Sequence, residues 1–261
     1  MRIVSLAPSV TEILFAIGRG ADIVANTAYC DYPQEAKKIP KLGSWIYIDD
    51  EKIKKLKPDL VITATVVQHQ AHKRYKDFKH LHLDPRSLAD IYDNILLLGK
   101  VTKHLDPARD LVQNMKIKEK NLSSTLRLPA GPPAGRPGRQ VLLSSRIYIE
   151  EWFDPPMVSG NWVPDIVALS GGNYFPGIKK GGISRKVTNE EIKRFNPEVI
   201  FVSYCGYKDK SDPKKILDRS DWQDIDAVKN QRVYVLNDDL LNRPGPRVLE
   251  AAEKIRGLFV T

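Results

Sequence analysis

Two stretches of the 261-residue chain match position for position, and this internal repeat limits the fold more than any other feature. They are EKIKKLKPDLVIT at residues 51–63 and EEIKRFNPEVIFV at residues 190–202. Each is typical of a short amphipathic helix, a proline that stops it, and a buried strand. A second matched pair occurs in the same order, TEILFAIG at 11–18 and PDIVALSG at 164–171. Because strands that alternate with helices favour parallel sheets, the repeat predicts two similar α/β lobes.

The Pro/Gly-rich stretch PAGPPAGRPG marks the clearest boundary in the chain, because such a composition does not suit the interior of a helix or strand. The segment before it has a helical pattern with a break near Asp106, and RQVLLSS at 139–145 after it is predicted to be a strand. We therefore predict an N-terminal lobe at 1–86, a linking helix at 87–128, a loop at 129–139, a C-terminal lobe at 140–245, and a C-terminal helix at 246–261 that packs back.

The charge composition argues against a nucleic-acid partner. The formal net charge is +9, but the lysines are scattered along the chain, and no basic stripe or RNA-type aromatic motif accompanies them. We interpret them as solvated surface. Two cysteines, Cys30 and Cys205, are too few for a disulfide-rich scaffold or a Cys-rich zinc site, and both are expected to be free thiols.

The N-terminus and the apolar runs bear on the compartment. No run reaches the roughly 18 apolar residues that a membrane-spanning helix needs. The first 18 residues have one positive charge, polar residues inside the apolar region and no small-residue cleavage site, so they do not resemble a signal peptide. Ser9 and Glu12 have the spacing of a helix capping box instead. Two alternatives stay open: a cytosolic protein, or a sequence that begins at the mature domain.

Six motifs carry a family resemblance. They are RIVSLAPSVTEILFAIG, YCDYP, LKPDLVIT, GNWVPDIVALSGG, EEIKRFNPEVIFV and RPGPRVLEAA. Together, in this order, they resemble the helical-backbone substrate-binding proteins of ABC importers, and most closely the vitamin B12-binding proteins. The resemblance implies two α/β lobes with mostly parallel sheets, joined by one long helix, with a ligand in the cleft between them. It also implies a corrinoid or other metal chelate as ligand, an ABC permease as partner, a monomer, no cofactor and no catalysis.

In the N-terminal lobe, the resemblance points to Tyr29 and Trp45 as ligand contacts, because B12-binding relatives grip the flat corrin with aromatic side chains. A large conjugated ring offers faces for stacking, and aromatic residues supply contact area at low entropic cost. Ordinary packing under a loop is the alternative for both residues. His69 follows the predicted strand at 60–65, so we expect it to touch the ligand or to bind a corrin's cobalt.

The C-terminal lobe departs from the B12-binding pattern, because Ser184 stands near the place where relatives have a tryptophan. Trp152 and Trp162 could substitute for that tryptophan, and the other candidates on this side follow predicted strands. They are Tyr204, Cys205, Tyr207, Arg243 and Arg247. Packing is an equal alternative for Trp162, and an ion pair that locks the final helix is an equal alternative for the two arginines.

Glu51 and Glu190 occupy the same position in the two copies of the repeat. The resemblance implies that one glutamate on each lobe meets arginines of the permease, and two such acids suit a two-fold symmetric partner. The alternative is local, since acids in the first turn of a helix favour its dipole.

Two alternative functions remain. The five histidines are His69, His72, His80, His82 and His104, and they could form a zinc site as in a divalent-metal binder. The alternative is that they are ordinary surface or half-buried histidines. The chain has no phosphate-binding glycine loop of the P-loop or Rossmann type and no Gly-x-Ser-x-Gly elbow, which argues against the common enzyme classes. A cytosolic tetrapyrrole- or metal-handling protein on the same fold stays open.

Overall fold

A computed structural model describes residues 1–44, 47–65, 68, 74–124 and 145–258. It divides into two compact units. Unit 1 comprises Met1–Pro85, Ala89–Met115 and Pro244–Pro246. Unit 2 comprises Arg86–Leu88, Lys116–Arg243 and Arg247–Thr261. No helix in the described part of the chain is both long enough and apolar enough to cross a bilayer.

Unit 1 is built on a four-stranded parallel sheet in the order β2-β1-β3-β4. The strands are β1 (Ile3–Ser5), β2 (Ile23–Asn26), β3 (Leu60–Ala64) and β4 (His80–Leu83). Its helices are α1 (Pro8–Ala16), α2 (Asp50–Leu56) and α3 (Leu88–Val101, of which Leu88 is counted in unit 2). Helix α4 (Leu105–Ser124) begins in unit 1 and belongs to unit 2 after Met115. Strands β1 and β3 are buried at every residue, which explains why all their residues are apolar except Ser5 and Thr63.

Unit 2 contains a six-stranded mixed sheet in the order β10-β9-β5-β6-β8, with β7 also paired to β5. The strands are β5 (Arg146–Phe153), β6 (Pro156–Val158), β7 (Asn173–Tyr174), β8 (Arg185–Lys186), β9 (Val199–Val202) and β10 (Val233–Val235). The helices are α5 (Val163–Ser170), α6 (Asn189–Phe195), α7 (Lys214–Leu217), α8 (Asp226–Lys229), α9 (Asp238–Leu241) and α10 (Val248–Gly257). Strands β10, β9 and β5 are parallel, whereas β6 pairs antiparallel with β5 and β8.

The repeat forms the same local structure in both units. Helices α2 and α6 each span seven residues, and a side chain, Asp49 or Thr188, accepts a backbone N–H at the start of each helix. Each helix ends in a left-handed residue, Lys57 at φ 45° or Asn196 at φ 47°. A proline follows in both copies, and then strand β3 or β9 begins two residues later.

An arginine at the start of β1 and of β5 reinforces this corner in each unit. The Arg2 amide donates to the Asp59 carboxylate at 2.7 Å, and the Arg146 amide donates to the Glu198 carboxylate at 2.9 Å. Each guanidinium also donates to a backbone carbonyl at the carboxyl end of the repeat helix in its own unit, that of Leu56 for Arg2 and that of Asn196 for Arg146. These four residues tie the helix–proline–strand corner to the start of β1 in unit 1 and to the start of β5 in unit 2.

The segment predicted as one linking helix contains two in its described part, and the break falls at residues 102–104 rather than near Asp106. Lys103 is left-handed there, with φ 59°, and the Thr102 hydroxyl donates to the Leu98 carbonyl at 2.6 Å. Pro107 lies in the first turn of α4, where the missing N–H costs nothing, so the proline does not break the helix. Residues 125–128 of the predicted helix and the predicted loop 129–139 lie outside the described residues.

The first strand in the described part of unit 2 is β5, and the prediction placed a strand before it at 139–145. Residues 139–144 of that prediction lie outside the described residues, and Ser145 precedes β5. Two adjacent acids in RIYIEEWF interrupt its apolar pattern, which is why the sequence did not indicate a strand there. Helix α10 packs on α5 and α9 within unit 2.

Candidate functional site

In unit 1, the loop that follows β2 presents two tyrosines. Tyr29 is 42% exposed and Tyr32 is 46% exposed, whereas Cys30 between them is fully buried. The Lys41 ammonium holds this loop by donating to the Cys30 carbonyl at 3.0 Å, and to Asn26 Oδ1 at 2.7 Å. The loop is therefore fixed from within, and the predicted contact Tyr29 is available at the surface of unit 1.

The other two predicted contacts of the N-terminal lobe, Trp45 and His69, lie outside the described residues. Described residues that flank Trp45 in the sequence contribute to a cavity of about 410 Å³. It is lined by Leu42, Gly43, Tyr47, Ile48, Asp49, Lys52 and Arg74. Gly43 is required here, because its φ is 120° and a Cβ would lie 2.2 Å from the Tyr47 carbonyl oxygen.

The carboxyl end of β5 carries a buried ion pair in unit 2. Glu150 is fully buried and accepts two hydrogen bonds from the Arg219 guanidinium, at 2.7 and 2.8 Å. The hydroxyls of Tyr204 and Tyr148 donate to the same carboxylate at 2.7 and 3.2 Å. Burial raises the pKa of Glu150, and the hydrogen bonds and charge of Arg219 offset part of that rise. Tyr204, a predicted ligand contact, is thus wholly buried and orients this network.

An aromatic cluster with one lysine continues from this network towards the surface. Phe153 packs between Trp152 and Tyr204, with ring centroids 5.7 and 5.6 Å away. Tyr207 meets Tyr204 edge-on at 5.9 Å, and the Lys215 ammonium lies 4.4 Å from the Phe153 ring centroid. Trp152 and Tyr207 are each 38% exposed, so these two predicted contacts present aromatic surface at the strand ends of unit 2.

A second acid, Glu151, lies beside this cluster and contacts the predicted contact Cys205. The Ser184 hydroxyl donates to Glu151 at 2.5 Å, and the Cys205 thiol lies 3.9 Å from its other oxygen. Burial raises the pKa of Glu151 and also that of Cys205. The negative charge of Glu151 raises the pKa of Cys205 further. Cys205 is therefore a thiol, and not a thiolate, at neutral pH.

Three predicted contacts have other roles in unit 2. Trp162 is 5% exposed and donates its ring N–H to the Leu241 carbonyl at 2.7 Å, so it is a core residue. Arg243 forms an ion pair with Asp239, four residues earlier, which belongs to α9 and not to the final helix. Arg247 lies directly before α10, and its carbonyl accepts the Glu250 amide at 2.9 Å.

The described histidines make contacts of their own. His80 and His82 hold the Thr63 hydroxyl between them, at 2.8 and 2.9 Å. Within the described residues, which do not include His69 and His72, no three His, Cys, Asp or Glu side chains converge as metal ligands.

Glu51 and Glu190 are each the second residue of their repeat helix, and both are exposed. Glu51 pairs with Lys54 at 2.8 Å in its own helix. Backbone hydrogen bonding and the Thr188 hydroxyl lower the pKa of Glu190, so its carboxylate is charged at neutral pH. The two copies of the repeat thus present one exposed acid each, at the same structural position.

Sequence comparison places the chain among known proteins. The family model described as periplasmic binding protein matches residues 3–127 and 142–240, which is most of the chain. The chain belongs to the periplasmic binding protein family. A vitamin B12-binding protein of Vibrio vulnificus is 31% identical, with 97% of this chain and 88% of that protein aligned. An uncharacterised ABC transporter substrate-binding lipoprotein of Bacillus subtilis is 30% identical, with 97% and 78% aligned.

Solved structures of this family have the same fold. The periplasmic vitamin B12-binding protein of Vibrio cholerae superposes with a TM-score of 0.75 at 27% identity, covering 99% of this chain and 96% of that one. The haem complex of an S. aureus protein gives a TM-score of 0.81 at 20% identity, covering 100% and 99%. The second likeness concerns the fold alone. Together with the family match they confirm the predicted α/β class and the resemblance, and identify the chain as a solute-binding protein.

Proposed function

We propose that this chain binds a corrinoid, or another bulky metal chelate, and delivers it to an ABC permease without performing chemistry on it. The observation that carries the proposal is its similarity to vitamin B12-binding proteins along 97% of its length. The exposed aromatic residues at strand ends support it, because ligands of parallel α/β sheets bind at the carboxyl ends of the strands.

The side chains that we assign to ligand contact are Tyr29, Trp152 and Tyr207. Each exposes more than a third of its surface. Trp152 lies on strand β5, and the loop of Tyr29 is held by the Lys41 ammonium, which donates to the Cys30 carbonyl. For Tyr207, the anchor is the Asp238 carboxylate, which accepts the Gly206 amide at 2.7 Å and the Lys208 amide at 2.6 Å. Preorganised aromatic surface of this kind binds a conjugated ring without a large cost in side-chain entropy. Trp45 and His69 remain predicted contacts.

Binding is tested by titrating the protein with cobinamide, cobalamin, haem, a ferric siderophore and zinc, followed by tryptophan fluorescence and calorimetry. We expect a corrinoid to bind with a Kd below about 10 µM, a free energy near −7 kcal/mol. Tyr29→Ala should weaken that binding at least about tenfold, which is about 1.4 kcal/mol. Tyr29→Phe is the matched control, since it keeps the ring, and should bind like the wild type. Binding of haem or zinc alone would refute the corrinoid assignment.

For delivery, we propose that Glu51 and Glu190 contact the permease. Their support is their exposure and their equivalent positions in two copies of one repeat. The variant Glu51→Ala/Glu190→Ala should bind ligand normally yet fail to stimulate the ATPase of a reconstituted transporter. Asp106→Ala/Asp224→Ala is the control, because it removes two acids whose side chains are 87% and 98% exposed, also one in each unit. Full stimulation by the glutamate variant would disprove the docking role.

A further inference from the structure

Glu151 is held by a β-bulge at the end of β5. On this strand Glu150 pairs with Val158 and Trp152 pairs with Met157, so two residues of β5 are opposed by one step of β6, and Glu151 is the extra residue. A bulge of this kind re-aims a side chain out of the regular alternation of the strand. Glu151 therefore has a direction that a regular strand would not give it.

The surroundings of Glu151 differ from those of Glu150 beside it. Glu150 has a guanidinium on both of its oxygens, whereas the hydrogen-bond partners of Glu151 within the described residues are a hydroxyl and a thiol. A buried carboxyl without a cation normally recruits donors wherever it can. Glu151 and Ser184 each keep part of their residue surface exposed to solvent.

The position of Ser184 is set by a close backbone approach. A Cβ on Gly160 would lie 2.3 Å from the Ser184 nitrogen and from the Ile183 carbonyl carbon, so only glycine lets the two segments meet. The Gly160 amide then donates to the Ser184 hydroxyl oxygen at 2.9 Å, which leaves that hydroxyl's own hydrogen for Glu151. The backbone contact with Gly160 thus fixes the Ser184 side chain, and Ser184 in turn fixes the carboxyl of Glu151.

The hydrogen-bonding capacity of the Glu151 carboxyl and of the neighbouring Ser159 hydroxyl is incompletely used within the described residues. The Ser159 hydroxyl is fully buried beside the same carboxyl, yet makes no well-aligned hydrogen bond within the described residues. A carboxylate has room for about four hydrogen bonds, and Glu151 receives one short bond and one weak one. Unused acceptor positions on a carboxyl one residue before the exposed Trp152 are suited to a ligand that brings N–H or O–H groups.

We propose that Glu151 is a specificity-determining residue that accepts hydrogen bonds from peripheral amide groups of the ligand and disfavours ligands that place carboxylates there. The inference rests on the proposed function, since it assumes a ring ligand next to Trp152. It narrows the ligand to amide-bearing corrinoids, in preference to tetrapyrroles that carry acidic side chains. The physical reason is that a like charge brought against a desolvated carboxyl is repelled, whereas an amide donor is satisfied.

The test compares two corrinoids with the same ring, cobinamide, whose periphery carries amides, and cobyrinic acid, whose periphery carries carboxyl groups. The wild type should bind cobinamide at least tenfold more tightly at pH 7.5. In Glu151→Gln this preference should fall below threefold, mainly through tighter binding of cobyrinic acid. Asp154→Asn is the matched control, because Asp154 is an exposed acid on the same hairpin, and should keep the wild-type preference.

The outcomes separate the inference from the function on which it rests. If cobinamide binds but Glu151→Gln keeps the tenfold preference, the role of Glu151 is disproved while the proposed function stands. If neither corrinoid binds the wild type, the proposed function fails and this inference fails with it. Glutamine has the shape of glutamate and still accepts from Ser184, so thermal melting by circular dichroism should show an intact fold.

Discussion

The central strands of the two units, β1 and β5, begin alike and end differently. Each starts next to a clamping arginine, and the register is the same, since Ile3 pairs with Leu60 and Ile147 pairs with Val199 at equivalent repeat positions. Three residues later, unit 1 has the buried pair Leu6–Ala7, whereas unit 2 has Glu150–Glu151. The amino end of the strand therefore carries what the fold requires, and the carboxyl end carries what distinguishes the two units.

The segments that follow β1 and β5 also differ between the two units. In unit 1, α1 begins at Pro8, directly after Ala7, and the strand end is closed by apolar packing. In unit 2, the strand continues into a hairpin with β6, which adds Trp152, Phe153 and the bulge before α5 begins. The inserted hairpin thus introduces charge and exposed aromatic surface at one unit's strand ends.

The largest effect should come from breaking the buried pair that replaces Leu6. Arg219→Met leaves Glu150 buried without its cation, and we expect the free energy of unfolding to fall by about 3–5 kcal/mol. Urea denaturation followed by circular dichroism measures this. Adding Glu150→Gln removes the buried charge while keeping an acceptor for Tyr204, and should restore much of the loss. A double variant as unstable as the single one would show that the charge of Glu150 is not the cause.

The next effect concerns the backbone approach that unit 2 needs at its hairpin. Gly160→Ala should cost about 3 kcal/mol, because the new methyl group meets three backbone atoms within 2.4 Å. Gly206→Ala is the control, since its φ is 84° but nothing lies within 4 Å of the added carbon, and it should cost about 1–2 kcal/mol from backbone strain alone. Equal losses would contradict a specific contact at Gly160.

Smaller effects should distinguish the two repeat helices. Asp49→Ala removes the cap of α2 and should cost about 1 kcal/mol. Thr188→Ala should cost somewhat more, because α6 has a full capping box in which the Glu191 carboxylate also accepts the Thr188 amide and is held by Arg185. Thermal unfolding of the two variants, measured side by side, tests the order. A larger loss at Asp49 would reverse it.

The smallest effect is a dependence of stability on pH that comes from Glu151. The matching residue of unit 1, Ala7, has no titratable group. Burial raises the pKa of Glu151 above its ordinary value of 4.5, so the native state holds this proton more tightly than the unfolded chain. Stability from this group is therefore lost as the pH rises from about 4.5 through the native pKa. Glu151→Gln should become more stable relative to the wild type between pH 5 and pH 8. Parallel profiles in urea unfolding would contradict the shift.

Much of the fold follows from the sequence because its signals are local. The proline after each repeat helix and the apolar run after each proline predict α2–β3 and α6–β9, and both pairs form. The break in the linking segment was misplaced, because Pro107 is harmless in a first turn and the left-handed Lys103 carries no sequence mark.

The candidate site was less predictable, because its side chains are brought together by distant parts of the chain. Tyr29 and Tyr207 follow strands, Trp152 lies one residue before the end of β5, and each of the three is exposed. Arg219 and Ser184 reach β5 from 69 and 33 residues away along the chain, and no spacing announces such contacts. The remaining signal was the pair of acids inside an apolar strand, which indicates a buried network only when the strand itself is recognised.

The left-handed corners at Lys57 and Asn196 make each repeat helix a stiff extension of its sheet. A proline ring fixes the next backbone angle after each corner, and the paired arginine ties the corner to the central strand. From the corner, α2 or α6 runs back for seven residues, about 10 Å at 1.5 Å per residue, towards the edge where the strands end. Glu51 and Glu190, near the start of each helix, are therefore joined to the sheet of their own unit through one corner that hydrogen bonds hold in place.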